Sequence, residues 1–197
     1  MELKDLEFKE LGIKGVFEIR LHQKQDERGF FMKTYNSQMF LEKGLNTTWV
    51  QENHSFSKHK GVLRGLHFQY PPFAETKLVR VARGEVFVVV VDIKTESDSF
   101  GQWYSTVLSA EHTEKMIMLY IPEGFAMGMC TLTENCSLLY KMGREYAPEH
   151  QGEIVWDDQD LNIPWPTKIP ILSERDKNAM SFKEYKEKIQ GTKGDVL

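Results

Sequence analysis

Cysteine and long apolar runs are both scarce in this chain of 197 residues. Its two cysteines, Cys130 and Cys136, lie in an apolar segment, whereas a disulfide framework in a small secreted protein normally needs more. We therefore expect two buried free thiols. No apolar run approaches the roughly 20 residues that a membrane helix needs, and the N-terminal stretch MELKDLEFKELGIKG is charged where a signal peptide would be apolar. These absences predict a soluble cytoplasmic protein without a membrane contact.

An excess of basic residues is also missing, since the formal net charge is −4. Nucleic-acid-binding proteins are usually strongly basic, so we expect no nucleic-acid partner. The chain is 41% hydrophobic and 27% charged, which is ordinary for a globular protein. Its length suits one domain, and we expect that domain to span residues 1–197.

Strand patterns dominate the rest of the sequence, with about eight short segments separated by turn residues. These segments are 15–22, 61–69, 77–84, 85–93, 102–109, 115–122, 126–133 and 136–146. The segment EVFVVVVDI is apolar on both faces and predicts a central strand that is covered on each side. An all-β jelly roll, with two antiparallel sheets packed face to face and an open mouth, satisfies this pattern.

Helices are predicted to be few, short and peripheral. Residues 36–44 form one candidate, with Asn36 or Ser37 as the N-cap and Gly44 as the stop. Residues 181–190 form another, within a C-terminal helical extension over about 174–192. The two prolines of 156–166 exclude a long helix or strand there and predict an ordered loop.

Polar residues interrupt the apolar segment GVLRGLHFQY, at residues 61–70. Strict alternation places His67 on one face of this strand, together with Gln69, and Arg64 on the other face. A lone histidine of this kind is most often a buried side chain bonded to a carbonyl. Polar groups also lie beside or inside apolar strands in four further stretches, however, at 26–31, 51–55, 77–80 and 138–141, and together they predict a polar pocket inside the barrel.

A metal centre is not expected in that pocket. Metal-binding cupins, which are common functional jelly rolls, need two nearby histidines, a glutamate and a distant histidine. RGLHFQY offers one histidine, and Met127 in IPEGFAMGM stands where the second cupin motif would carry another. A thioether is a poor ligand for the metals that cupins bind. We therefore expect no metal.

Eight motifs in order carry a family resemblance over residues from about 10 to about 180. They are DERGFFMKTYN, VQENHSFSKHKGVLRGLHFQ, KLVRVARGEVFVVVVDI, SFGQWYSTVLSAE, IPEGFAMGM, LLYK with EYAPE, WDDQDLNIPWP and ILSERD. This array resembles the nucleotide-sugar 3,5-epimerases typified by dTDP-4-dehydrorhamnose 3,5-epimerase. The resemblance implies a cupin-type double-stranded β-helix that works as a homodimer on a nucleotide-linked 4-keto-6-deoxyhexose, and that it needs neither a metal nor a redox cofactor.

The resemblance also implies the chemistry. The 4-keto group acidifies the hydrogens on C3 and C5, a base removes one of them to leave an enolate, and an acid on the opposite face returns a proton. His67 matches the base, since imidazole titrates near neutral pH. Asp176 matches the carboxylate that orients it, although SERD alone also fits a helix cap. Tyr140 matches the proton donor, although by itself it would be a core tyrosine.

Further positions match charge-stabilising and substrate-binding residues of the family. Lys77 and Arg64 match the cations that stabilise the enolate, although either alone could be a surface charge. Tyr146 matches an aromatic residue that stacks on the nucleobase, and Arg175 matches a position near the diphosphate. Three further residues match substrate-binding positions: Arg28, Gln51 and Asn53.

Three residues depart from the family pattern. Met127 replaces a histidine that contacts the sugar, and it cannot donate a hydrogen bond. Lys33 replaces a glutamate among the substrate-binding positions, and Val88 replaces an aspartate. The first two changes leave open the sugar, the nucleobase and whether C3, C5 or both are inverted.

Other functions remain as alternatives to the epimerase. A sugar-nucleotide 3,4-ketoisomerase would use the same enolate but move the carbonyl group. A non-catalytic nucleotide-sugar-binding homologue would keep the cavity and lose the reaction, with Met127 as its mark. A metal-dependent cupin oxygenase is the most distant alternative.

Overall fold

The computed structural model describes residues 5–111 and 116–192, and these contain thirteen β-strands and three short α-helices. The strands are β1 (Leu6–Glu10), β2 (Phe17–Leu21), β3 (Gln23–Asp26), β4 (Gly29–Met32), β5 (Gln51–Ser57), β6 (Leu63–Gln69), β7 (Lys77–Arg83), β8 (Glu85–Asp92), β9 (Trp103–Ser109), β10 (Ile117–Ile121), β11 (Phe125–Thr131), β12 (Cys136–Met142) and β13 (Gln151–Glu153). The helices are α1 (Ser37–Leu41), α2 (Glu174–Lys177) and α3 (Phe182–Thr192).

Two antiparallel sheets pack face to face. The six-stranded sheet has the order β1-β2-β10-β7-β12-β5, and the five-stranded sheet has the order β13-β6-β11-β8-β9. Strands β3 and β4 form a separate two-stranded hairpin. The predicted cupin-type jelly roll with a few short helices is confirmed.

Strand β8 is central, as its sequence predicted. It pairs with β11 on one side and β9 on the other, and Val88 to Val91 are fully buried. Val88 and Val90 belong to the core between the sheets, whereas Val89 and Val91 pack against apolar residues of the C-terminal segment such as Leu161. The continuous valine run is therefore buried on both faces, by a sheet and by the segment that wraps over it.

The eight predicted strand segments all contain strands, although Lys115 lies outside the described residues. Five strands were not predicted: β1, β3, β4, β5 and β13. The predicted helix at 36–44 is shorter in the structure, where Asn36 accepts a hydrogen bond from the Met39 amide as the N-cap. Helix α3 begins with a reciprocal pair, since Ser181 Oγ accepts from the Glu184 amide and Glu184 Oε2 accepts from the Ser181 amide.

The state of the cysteines and the character of the helices bear on two expectations from composition. Cys130 and Cys136 are buried free thiols, as predicted. Within residues 5–111 and 116–192, none of the helices combines the length and apolar character that crossing a bilayer would take.

Candidate active site

A cavity of about 770 Å³, including its open mouth, lies between the two sheets. Its lining mixes apolar and polar side chains from both sheets and from two loops: Gln51, Asn53, Ser55, Arg64, His67, Phe68, Gln69, Glu75, Lys77, Met127, Gly128, Met129, Leu138, Tyr140, Met142, Tyr146 and Gln151. The expected polar pocket inside the barrel is present.

Strand β6 departs from strict alternation at the cavity wall. Met127 pairs with His67 while Met129 pairs with Arg64, so two residue steps on β11 face three on β6. This β-bulge turns Arg64 and His67 to the same cavity. The prediction that they occupy opposite faces was wrong, because alternation assumes an unbroken ladder.

Gly65 makes the bulge possible. Its φ is +111°, and a Cβ atom there would lie 2.5 Å from the carbonyl oxygen of Met127 and 2.6 Å from the Cα atom of Gly128. Only glycine fits both the backbone conformation and the close approach of β11.

His67 and Asp176 meet at the floor of the bulge. The His67 Nε2 atom lies 2.6 Å from Asp176 Oδ1, and the same oxygen accepts a hydrogen bond from the Gly65 amide at 3.2 Å. The Asp176 side chain is buried, while that of His67 remains about one-third exposed toward the cavity. Two residues more than 100 positions apart therefore form one hydrogen-bonded pair.

Asp176 is held as a carboxylate. Burial on its own would raise its pKa, but hydrogen bonds from His67, Ser173 and the Gly65 amide lower the pKa to about 2. Ser173 is the N-cap of α2, where its hydroxyl accepts from the Asp176 amide and lies 2.6 Å from Asp176 Oδ2. The two interpretations of SERD are therefore compatible, because Asp176 is both part of a helix cap and the partner of His67.

Tyr140 stands on the wall opposite the histidine. It belongs to β12 in the six-stranded sheet, whereas His67 belongs to β6 in the five-stranded sheet. Burial raises the pKa of its phenol, with the charge of Arg64 acting in the opposite direction. The phenol therefore keeps its proton at neutral pH, as a proton donor must.

Lys77 is buried in the cavity wall with a carboxylate partner. Its Nζ atom lies 2.8 Å from Glu75 Oε1 and donates to the His67 carbonyl oxygen at 3.3 Å. The sequence predicted Lys77 but not Glu75. The charged pattern ETKL ahead of the strand was the available signal, but it is equally typical of a solvated loop.

Gln51, Asn53 and Tyr146 form a further part of the cavity lining. The Gln51 side chain donates to Asn53 Oδ1 at 2.9 Å and accepts from the Tyr146 amide at 3.2 Å. The Tyr146 ring is half exposed, and its hydroxyl donates to Gln151 Oε1 at 2.6 Å. The amides and the ring are thus held in place beside accessible space.

Three residues predicted to bind substrate do not line this cavity. Arg28 is exposed in the turn between β3 and β4, where it pairs with Asp26. Lys33 pairs with Asp5 at 2.5 Å, and Arg175 pairs with Glu153. Their binding roles stay predictions.

Within the described ranges, no group of three or more His, Cys, Asp or Glu side chains is arranged to hold a metal ion. The absence of a cofactor stays a prediction of the sequence.

The sequence and structure are similar to known epimerases. Residues 10–184 match the family model of dTDP-4-dehydrorhamnose 3,5-epimerase. A dTDP-4-dehydrorhamnose 3,5-epimerase of Salmonella typhimurium is 52% identical over 153 residues, which cover 77% of this chain and 81% of the relative. A dTDP-4-dehydrorhamnose 3-epimerase of Streptomyces niveus is 37% identical over 175 residues, covering 88% and 83%.

Solved structures agree. The crystal structure of dTDP-6-deoxy-D-glucose-3,5-epimerase from Legionella pneumophila, in complex with dTDP-4-keto-L-rhamnose, superposes with a TM-score of 0.84 at 37% identity. The similarity covers 90% of this chain and 93% of that one. The chain belongs to the dTDP-4-dehydrorhamnose 3,5-epimerase family of isomerases.

Proposed function

We propose that this protein inverts C3, C5 or both in a dTDP-linked 4-keto-6-deoxyhexose, with His67 as the base and Tyr140 as the acid. The observation that carries the proposal is the 2.6 Å contact between His67 and the buried Asp176 carboxylate, opposite Tyr140 in one cavity. A base and an acid on facing walls suit a reaction that removes a proton from one face of a sugar and returns one to the other.

The contact also selects the reacting nitrogen. Because Nε2 of His67 faces the carboxylate, it carries the proton, and Nδ1 keeps the lone pair that can accept a proton from carbon. Asp176 remains ionised and stabilises the imidazolium that forms, as the acid of a catalytic triad does. The bond between the Gly65 amide and Asp176 fixes the carboxylate relative to the strand that carries the base.

The steps balance without an oxidant or reductant. Nδ1 of His67 takes the proton from C3 or C5, and the electrons of the C–H bond move to the 4-keto oxygen. Lys77 and Arg64 line the cavity as cations for that enolate oxygen. The Tyr140 hydroxyl then gives its proton to the carbon from the opposite face, and the carbonyl re-forms. Proton exchange with water returns both side chains to their starting forms.

The substrate class is supported by the cavity and by a relative. The Legionella epimerase was solved with dTDP-4-keto-L-rhamnose. In this chain, Gln51 and Asn53 offer amide groups and Tyr146 a half-exposed ring, which are suited to a sugar hydroxyl and a nucleobase.

The number of centres inverted depends on the wall beside the base. Met127 pairs with His67 across the sheet, and its thioether cannot donate a hydrogen bond to the sugar. The missing donor favours a second candidate, inversion of a single centre, and a relative in Streptomyces niveus is named for inversion at C3 alone.

The assembly and location complete the proposal. We infer a homodimer, because Phe30 and Phe31 are exposed on the β3–β4 hairpin and Arg28 lies outside the chain's own cavity. A second copy that covers the hairpin would bring Arg28 to a partner's cavity. The buried free cysteines suit the predicted cytoplasmic location.

The test is proton exchange in D2O, followed by NMR with dTDP-4-keto-6-deoxyglucose and its CDP and GDP analogues. The native protein should incorporate deuterium and invert the labelled centre, with label at C3 only if C3 alone is epimerised. In His67→Asn, the rate of deuterium incorporation should fall by about 10²–10⁴-fold. In Tyr140→Phe, deuterium should still be incorporated, but the configuration of the carbon should not be inverted.

Other outcomes identify the alternatives. A product with its carbonyl at C3 would show a ketoisomerase. Binding of the nucleotide sugars without exchange would show a non-catalytic homologue, and would contradict the proposal.

A further inference from the structure

Glu75 is a charged residue in the cavity wall to which the proposed mechanism gives no role. Its side chain is 4% exposed and that of Lys77 is 9% exposed, so the ion pair is almost fully buried. Burying two charges is costly, and a buried ion pair is therefore weak evidence for stability. The location of this pair in the lining, rather than in the apolar core, points to a functional reason.

The backbone holds Glu75 in place. The preceding segment is fixed by Gln69, whose amide donates to the carbonyl oxygens of Phe73 and Glu145. The next residue, Thr76, accepts a hydrogen bond from the Gly143 amide. The carboxylate is therefore attached to a rigid support on one side of the Lys77 ammonium.

The three N–H groups of the Lys77 ammonium have different partners. A lysine ammonium has three N–H groups on a flexible four-carbon chain. In Lys77 one is directed to Glu75 Oε1 at 2.8 Å and another to the His67 carbonyl oxygen at 3.3 Å. One N–H group remains for a ligand oxygen in the cavity. These two fixed acceptors orient the Lys77 ammonium, so that its third N–H group has a set direction. The ammonium then needs no reorientation when negative charge develops during the reaction.

We propose that Glu75 is a positioning residue that orients the Lys77 ammonium toward the enolate oxygen through the pair Glu75 Oε1–Lys77 Nζ. The inference rests on the proposed function. Glu75 contacts Lys77 rather than the reacting carbon, so its effect passes through the lysine. A second contact of Lys77, with the His67 carbonyl, links the same pair to the strand that carries the base.

Four variants test this role: Glu75→Gln, Glu75→Asp, Lys77→Met, and the double variant that combines Glu75→Gln with Lys77→Met. Glu75→Gln should lower kcat by about 10²-fold with little change in KM, because a misaligned donor affects the transition state more than binding. Glu75→Asp keeps the charge and should recover part of kcat. Lys77→Met should lower kcat by about 10²–10³-fold.

The double variant separates positioning from a general structural effect. If Glu75 acts through Lys77, the double variant should be no slower than Lys77→Met. The double variant also removes both charges. It should therefore fold even if Glu75→Gln does not fold because it leaves the Lys77 ammonium buried and unpaired. The matched control is Glu52→Gln, which breaks the exposed Glu52–Lys141 pair and should leave kcat unchanged.

Several results would overturn the inference: kcat of Glu75→Gln within twofold of the native value, losses that multiply in the double variant, or a rise in KM alone. A crystal structure of the single variant adds a readout without catalysis. In Glu75→Gln, the Lys77 Nζ atom should leave its position near the His67 carbonyl oxygen. If that variant does not fold, the same atom should shift in Glu75→Asp. A Lys77 Nζ atom in its native position would contradict the inference. A native protein inactive on every nucleotide sugar would refute the proposed function, whereas these crystal structures would still decide the position of Lys77.

Discussion

At the scale of single residues, Asp176 connects the base to the rest of the molecule. Its two carboxylate oxygens contact the His67 ring, the Gly65 amide and the Ser173 hydroxyl. One side chain thereby joins α2 to the bulge of β6. The position of the proposed base therefore depends on a helix that follows it by more than 100 residues, and the carboxylate has a structural role besides its contact with that base.

This role predicts a pH-dependent contribution to stability. The pKa of Asp176 is about 2 in the folded protein and 3.8 in its reference state. Because the folded value is lower, the contribution is fully present above the reference pKa and is lost as the pH falls through about 2. Its size is about 2 kcal/mol for a side chain that is 5% exposed.

The measurement is the free energy of unfolding in urea from pH 6 to pH 2.5 for the native protein and Asp176→Asn. The native protein should be more stable by about 2 kcal/mol at pH 6, and the difference should shrink as the pH approaches the lower limit. Asp160→Asn, at an exposed ion pair, should differ little from native at each pH. Parallel curves for native and Asp176→Asn would contradict the coupling.

At the scale of elements, the sequence predicted those strands whose burial imposes a pattern. Strand β8 has a valine run, and its place in the middle of a sheet follows from burial on both faces. Strand β5, QENHSFS, was missed because it is an edge strand with few buried residues, and its polar composition is typical of a loop. In the β3–β4 hairpin, β3 was missed for the same reason, since QKQD is polar throughout, whereas β4 is the four-residue GFFM, which is too short to show a strand period.

Local patterns also have a limit inside a correctly predicted strand. The position of Arg64 was wrong because the bulge adds one residue to β6, and only the pairing with β11 reveals it. Gly65 was visible in the sequence, and a glycine within a strand is typical of a bulge or a close backbone approach. The periodicity of one strand cannot choose between these possibilities, because the choice depends on its neighbour.

The bulge makes Gly65→Ala a specific test. A Cβ atom at this position would meet the Met127 carbonyl oxygen at 2.5 Å, and alanine disfavours a φ of +111°. We expect a loss of about 2–5 kcal/mol in the free energy of unfolding. Any folded fraction should have a lower kcat, because displacement of β6 breaks the contact between the Gly65 amide and Asp176.

Gly12→Ala is the matched control. A Cβ atom at Gly12 has no heavy atom within 4 Å, so the substitution should change stability by less than about 1 kcal/mol. Urea unfolding and steady-state kinetics measure both variants. Equal effects of the two substitutions would show that the bulge does not require a glycine.

At the scale of the whole molecule, the cavity is assembled from parts that are distant in the chain. Strands β5, β7 and β12 form one wall, strands β6 and β11 form another, and Asp176 supports the floor from the C-terminal segment. Composition and periodicity cannot bring such residues together. Their grouping was available from the sequence only through the resemblance to a family, which supplies the pairing of His67 with Asp176.

The β3–β4 hairpin leaves two aromatic side chains exposed in a single chain. It forms its own two-stranded sheet, with Phe31 68% exposed and Phe30 48% exposed on β4. Adjacent exposed aromatic rings are typical of an interaction surface. Arg28 and Lys33, both predicted to bind substrate, flank these rings and lie outside the cavity lining. A homodimer accounts for both facts if each hairpin packs on the partner.

Phe31→Glu tests this arrangement, because a buried carboxylate at an apolar contact opposes association. The native protein should have about twice the 23.0 kDa mass of one chain by light scattering, and the variant should have the mass of one. Ile169→Glu, at a side chain that is 88% exposed elsewhere, should leave the native mass unchanged. The monomeric variant should retain its fold by circular dichroism and bind dTDP more weakly, since Arg28 would no longer reach a partner's cavity. If the native protein is a monomer, or if Phe31→Glu is a dimer with unaltered affinity for dTDP, the hairpin does not contribute to a partner's cavity.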